Sequence, residues 1–287
     1  MTNMPNQFIL TLSCRDRAGI IAAISNVLLK HDCFIARSRS FGDPATQQFF
    51  LRLAFHPQSD GFELQALKND LDQASGVLEA TIDIHTEDRK IRTLIMVSKL
   101  DHCANALLYG ARIGELPIEP VGILSNHSDL AGTLQHWGLP FHTVPVSADT
   151  KAEAEQAMFN IIEETRAELV VLARYMQILT NETCRKLEGQ CINIHHSFLP
   201  SFKGARPYHR AHERGVKMIG ATAHYVTADL DEGPILAQVT ENVDHTHSAQ
   251  DFVAMGRSLE ATALVRAVKA HAEHRVFLNG SKTVVFS

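Results

Sequence analysis

The sequence is short of several things, and each shortage argues against a class of function. Basic residues are outnumbered, with 27 Lys and Arg against 32 Asp and Glu and a formal charge of −5. A chain that works on phosphate backbones carries a basic excess, so nucleic-acid binding is not expected to be its main role. Apolar runs are short, and none approaches the ~20 residues that span a bilayer. The opening MTNMPNQFIL has no charged stretch leading into an apolar one, so no secretory leader is expected. The cysteines, Cys14, Cys33, Cys103, Cys184 and Cys191, are odd in number and form no CxxC pair. That argues against a disulfide framework or a zinc knuckle and points to a reducing cytoplasm. The glycine patterns that cradle nucleotide phosphates are missing, and no tandem repeat or low-complexity tract is visible.

What is present suits a globular enzyme. The chain has 287 residues, and at ~150 residues per domain two domains are expected. Hydrophobic residues make up 45% and charged residues 21%, enough to bury a full core. There are also 16 histidines, more than such a chain needs unless some of them move protons.

The pattern predicts a first domain over 1–88 and a second over 89–287. In the first, Phe8, Leu10 and Leu12 alternate as in a strand, and Ile20, Ala23, Ile24 and Val27 recur at helical spacing. Extended stretches over 34–41 and 49–55 follow, separated by the turn residues GDPA. Phe62, Leu64, Leu67 and Leu71 suggest a second helix with Gly76 as its stop, and Leu78 to Ile84 alternate as a strand with one wet face. The order is βαββαβ, a ferredoxin-like unit whose sheet edge invites self-association. HTEDRKIR reads as a charged linker.

From Ile91 the grammar changes. IRTLIMVS, EPVGILSN, PFHTVPV, ELVVLA and CINI are continuous apolar strands separated by helices, and a long helix over about 248–274 follows. That is the pattern of an α/β, Rossmann-like parallel sheet covered on both faces, with ligands at the carboxyl ends of its strands.

One segment, CINIHHSFLPSFKGARPYHRAHERG, is the densest in chemistry. A buried strand ends by presenting Asn193, His195, His196 and Ser197. Residues two apart share a face, so Asn193 and His195 can aim at one spot and donate to an oxyanion; the plainer alternative is that His195 caps the strand. About 30 residues on, GATAHYVTADLDEGPIL places an acidic turn after another strand, where a carboxylate could orient an imidazole. Spacing does not separate Asp229 from Asp231, and a solvated acidic turn is the competing reading. A zinc site on His209 and His212, with His224, His245 or His247, lacks a supporting motif, so no metal is expected. Cys103 beside His102 is read as a buried thiol rather than a nucleophile.

These residues carry a resemblance. The stretch NIHHSFLPSFKGARPYHRAHERGVKMIGATAHYVTADLDEGPI resembles the signature of the folate-dependent formyltransferase superfamily, and the likeness extends over most of 91–287. The first ~88 residues resemble an ACT domain, a module that often binds amino acids at a dimer interface. The resemblance implies a catalytic set of Asn193, His195 and Asp231. It also implies a pterin pocket lined by Met176, Gln177, Leu179, Ala228 and Leu230, and an effector site near Asp16 and Gly19. Gln177 stands where transformylases of the superfamily tend to carry arginine, and His196 where they carry proline. The loop DHCANALL has no glycine, and its Asp101 would repel the phosphate of a nucleotide acceptor. The expectation is therefore hydrolysis of 10-formyltetrahydrofolate to tetrahydrofolate and formate, feeding one-carbon metabolism and purine biosynthesis. No cofactor beyond the folate substrate is expected. The partners expected are a small-molecule folate, an amino-acid effector and a second copy of the chain, with neither nucleic acid nor membrane. Formyl transfer to an amine or nucleotide acceptor is the alternative within enzymes, and an amino-acid sensor without catalysis the alternative outside them.

Overall fold

The computed structural model describes residues 7–199 and 207–287. The chain divides into two compact units, one holding the chain up to Arg89 with Glu273–Asn279 and Val284–Ser287, the other Lys90–Ala272 with Gly280–Thr283. No helix among the described residues is long and apolar enough to cross a membrane.

In the first unit β1 (Phe8–Arg15), α1 (Ile20–Lys30), β2 (Cys33–Asp43), β3 (Gln48–Pro57), α2 (Leu64–Leu78) and β4 (Thr81–Thr86) follow in βαββαβ order. The strands form one antiparallel sheet in the order β2-β3-β1-β4. Alternation sorts the side chains: Phe8, Leu10 and Leu12 of β1 and Phe49, Leu51, Leu53 and Phe55 of β3 share one face. Ile20, Ile24 and Leu28 of α1 and Leu67, Leu71 and Leu78 of α2 close over that face. Two boundaries depart from the pattern. The second helix runs through Gly76 and ends at Glu79, which turns left-handed at φ 51. The longer helix lets Leu78 join the stripe of Leu67 and Leu71, so Leu78 is a buried helical residue and not the start of a strand. The last strand takes in His85 and Thr86, which leaves a shorter linker than the charge pattern predicts.

The second unit runs β5 (Ile91–Val97), α3 (His102–Arg112), β6 (Ile118–Ser125), α4 (Ala131–Leu134), β7 (Phe141–Thr143), α5 (Lys151–Thr165), β8 (Leu169–Leu172), α6 (Asn181–Lys186), β9 (Cys191–His195), α7 (Pro207–Arg214), β10 (Met218–Tyr225), β11 (Ile235–Asn242) and α8 (Ala249–Ala272). Its sheet has seven strands in the order β11-β10-β9-β8-β5-β6-β7. β7, β6, β5, β8 and β9 are parallel, as the apolar runs predict. β10 and β11 are antiparallel, a mixed edge on the parallel core. From β5 the chain winds out to β6 and β7 on one side, and from β8 to β9 on the other. This reversal opens a crevice at the carboxyl ends of β5 and β8, the place where such sheets bind ligands.

The tail forms a two-stranded hairpin of β12 (Val276–Asn279) and β13 (Lys282–Val285). The pattern assigns the whole tail to the second domain, but much of it completes the first unit. Phe50, on the sheet face away from α1 and α2, is buried with Phe277 and Phe286. Arg52 donates to the carbonyls of Glu273 and His274, His274 stacks on His85 with centroids 3.5 Å apart, and Asn279 donates to Asp43 at 2.7 Å. The first sheet is therefore dry on both faces along β3.

Candidate active site

The carboxyl edge of the second sheet assembles the site from three adjacent strands. β9 delivers Asn193, half-buried, and His195, with 5% of its surface exposed. Beyond β10 the chain turns sharply and returns as β11, and this turn carries Asp231. Gly233 is required there, because an added Cβ would overlap the carbonyl of Tyr225. Asp231 adopts a left-handed backbone at φ 59, a costly conformation for a non-glycine residue that is common where a side chain must be aimed. The result is a pairing of Asp231 Oδ1 with His195 Nδ1 at 3.2 Å. Asp229, equally spaced in the sequence, is exposed. The hydrogen bond from His195 holds the Asp231 carboxyl below its usual range, although burial opposes it.

His195 thus has one nitrogen engaged and one free for a ligand: Nε2 is buried and has no hydrogen-bond partner among the described residues. Beside it, Asn193 Nδ2 donates to His224 Nε2 at 3.2 Å. The direction follows from the other ring nitrogen. His224 Nδ1 lies 2.8 Å from the Tyr225 carbonyl, so it carries the proton and Nε2 is the acceptor. Burial pushes the His224 pKa down and keeps the ring neutral in this role. His224 fixes the Asn193 amide and stands 3.9 Å from Asp231, yet the sequence offers it only as a far-fetched metal ligand. The antiparallel register of β10, which sets His224 opposite Asn193, is what reveals it, and spacing does not encode that register.

The chain after β9 is clamped. Thr222 donates to the Ser197 carbonyl and accepts from Leu199 N–H, while Gln238 donates to Thr222 and to the Leu199 carbonyl. His196 follows His195 with ring centroids 5.0 Å apart, and burial, reinforced by the charge of Arg174, pushes its pKa down to about 4.

The segment after β8 borders the crevice. Ser98, at the end of β5, accepts from Met176 N–H at 2.8 Å and donates to Asn126 at 2.6 Å, pinning this segment to the switch point. Met176 and Leu230 are both large and apolar and are more than half exposed. Ala228 is exposed, while Gln177 and Leu179 line a hollow with Val146, Met158 and Tyr175. Ser98 and Asn126 carry no pattern of their own in the sequence.

A second polar cluster lies at the same edge. Glu260, on α8 and 2% exposed, accepts from His102 at 2.9 Å and Tyr208 at 2.9 Å, and Arg174 Nε stands 3.3 Å away. Burial pushes the Glu260 carboxyl up, but the hydrogen bond from His102 and the charge of Arg174 hold it below its usual value. Cys103 is fully buried beside it and its thiol is pushed far up by burial, which removes it as a nucleophile. His102, Cys103 and Glu260 bring three ligand-type atoms within 4.8 Å. The carboxylate is already claimed by a guanidinium, an imidazole and a phenol, a poor donor set for a cation.

In the first unit, Gly19 caps α1 in a left-handed conformation at φ 93, a position that favours glycine. Asp16 is close by in the chain, its N–H donating to the Gln47 carbonyl at 2.8 Å. Its carboxylate fills the space that a side chain at position 42 would need.

Comparison with known proteins gives the family. A family model described as formyl transferase matches residues 91–268. A formyltetrahydrofolate deformylase of Corynebacterium sp. (strain P-1) is 47% identical over 96% of this chain and 97% of its own length. The crystal structure of a formyltetrahydrofolate deformylase from Burkholderia mallei ATCC 23344 is similar with a TM-score of 0.94 at 48% identity, covering 99% of this chain and 100% of that one. A glycinamide ribonucleotide transformylase from Symbiobacterium toebii is similar with a TM-score of 0.66 at 25% identity, over 71% of this chain and 98% of that one.

Proposed function

We propose that this chain, which belongs to the formyl transferase family and stands among its formyltetrahydrofolate deformylases, hydrolyses 10-formyltetrahydrofolate to tetrahydrofolate and formate. The observation that carries the mechanism is His195, backed by Asp231 at Nδ1 and left open at a buried Nε2. A water oxygen bonds to the formyl carbon. Protonated His195, through Nε2, and the second N–H of Asn193 stabilise the tetrahedral oxyanion. Asp231 orients the water and takes its proton. The bond between carbon and folate nitrogen then breaks, the nitrogen takes up the proton, and formate departs. The pterin lies along Met176, Gln177 and Leu179 on one side and Ala228 and Leu230 on the other. Two features support this placement: exposed apolar surface at Met176 and Leu230, and a backbone held rigid by Ser98. The reaction asks for no metal and no bound redox cofactor.

The first unit serves as an ACT-like regulatory module. An amino-acid effector binds where β1 meets α1, at Asp16 and Gly19, and the exposed edge strand β2 pairs with a second copy of the chain. The five free thiols suit a cytoplasmic enzyme. One assay tests the activity. The protein is incubated with 10-formyltetrahydrofolate and no acceptor, and formate is measured. Release is expected, and release only when an amine is added would replace hydrolysis by transfer.

A further inference from the structure

The Glu260 cluster takes no part in the mechanism above, yet it borders the reaction centre. β9 supplies His195; from its β10 side the turn after β10 folds back to bring Asp231 to His195 Nδ1, and on its other side β8 leads into Arg174. The reacting carbon, seated at His195, therefore has the Asp231 turn on one flank and Arg174 on the other. His196, its ring centroid 5.0 Å from that of His195, lines a hollow with Tyr208, which binds Glu260. Arg174 lies two residues before Met176, in the segment that Ser98 pins.

Arg174 is held there at some cost. Its backbone is left-handed at φ 66, a conformation glycine or asparagine would take far more readily than arginine. Its side chain is 12% exposed, and Nε faces the Glu260 carboxylate at 3.3 Å without a directed hydrogen bond. Tyr208, which also binds Glu260, is packed so closely that any side chain at position 256 would overlap its ring. The flank is filled, and the Glu260 carboxylate there is covered by a guanidinium.

We propose that Arg174 is a specificity-determining residue that reserves the reaction for water by occupying the amine-acceptor flank and masking the Glu260 carboxylate. A primary amine reaches the formyl carbon as a neutral nucleophile but arrives largely as an ammonium, which a free buried carboxylate would attract and a guanidinium repels. Water needs no such anchor and is placed by Asp231 on the opposite flank. With Arg174 removed, the amine nitrogen bonds to the formyl carbon and the bond to the folate nitrogen breaks. The proton lost by the amine passes to that nitrogen, giving a formamide and tetrahydrofolate.

This proposal rests on the hydrolase reading, and one experiment separates the two. The full-length protein and its Arg174→Gly variant are given 10-formyltetrahydrofolate with and without millimolar glycinamide, and formylated amine and formate are both measured. The partition between them does not depend on how much of the variant is folded. Arg174→Gly should raise the ratio of formylated amine to formate by about tenfold or more, the worth of one charge-assisted contact. Arg174→Asn, which also tolerates a left-handed backbone, should do the same. Adding Glu260→Gln to Arg174→Gly should bring the ratio back towards wild type, because the anchor is then neutral. A ratio in both single variants within about twofold of wild type, well short of the tenfold worth of that contact, overturns the proposal. A wild type that releases no formate without amine overturns the hydrolase reading instead.

Discussion

Two buried polar groups stand side by side at one sheet edge, and they are built on opposite principles. Around Glu260 the carboxylate has His102, Tyr208 and Arg174 turned towards it. Around His195 one nitrogen is fixed by Asp231 and the other is buried and unpaired among the described residues. An unpaired buried polar atom costs ~1–3 kcal/mol, and at His195 a bound ligand can supply the missing partner. The difference teaches that reactivity here is marked by an imidazole nitrogen left open beside a fixed carboxylate, not by the number of charged groups. By charge alone the Glu260 cluster is the more conspicuous of the two.

The contrast can be broken by experiment. Glu260→Ala should have the largest effect, and on folding: it leaves Arg174 buried without its counter-charge, a loss of ~3–5 kcal/mol read from urea denaturation. A stability change under ~1 kcal/mol would mean that the carboxylate is not the hub of its cluster. Asn193→Ala should act the other way, lowering turnover ~10²–10³-fold, or ~2.7–4 kcal/mol, in a protein that still unfolds cooperatively. Near-normal formate release by that variant would remove Asn193 from the oxyanion site. The smallest effect concerns pH. Asp231 has a folded pKa below its unfolded value, so its pairing stabilises the protein above the ordinary carboxylate pKa. That contribution fades as pH falls through the depressed folded value. The stability gap between wild type and Asp231→Asn should therefore shrink on acidification, and a gap independent of pH would mean that the His195 pairing does not hold in solution.

Much of the fold is legible where burial repeats with a fixed period. Phe8, Leu10 and Leu12 declare a strand by alternation, and Ile20 and Ile24 declare a helix, because each faces one core. β10 is buried as fully as a parallel strand would be, and an apolar run carries no sign of direction, so its antiparallel pairing with β9 and β11 is invisible. Asn193 and His195 are legible because two residues on one strand share a face. Asp231 is separated from Asp229 only by a left-handed turn that Gly233 permits, a matter of φ angles that spacing does not encode. His224 meets Asn193 across 31 residues of sequence and Arg174 meets Glu260 across more than 80, and nothing local to any of them announces its partner.

The return of the tail to the first unit also sets the order in which the protein can be completed. On a ribosome the strands and helices of the first unit emerge early, but Phe50 waits for Phe277 and Phe286, made more than 220 residues after it. Contacts so distant in sequence close slowly. The nascent module therefore carries one finished face and one sticky face while the catalytic unit is made. It becomes fully sealed only once Phe277 and Phe286 have been made, so a chain cut short in translation before them would bear an exposed phenylalanine for quality control to find.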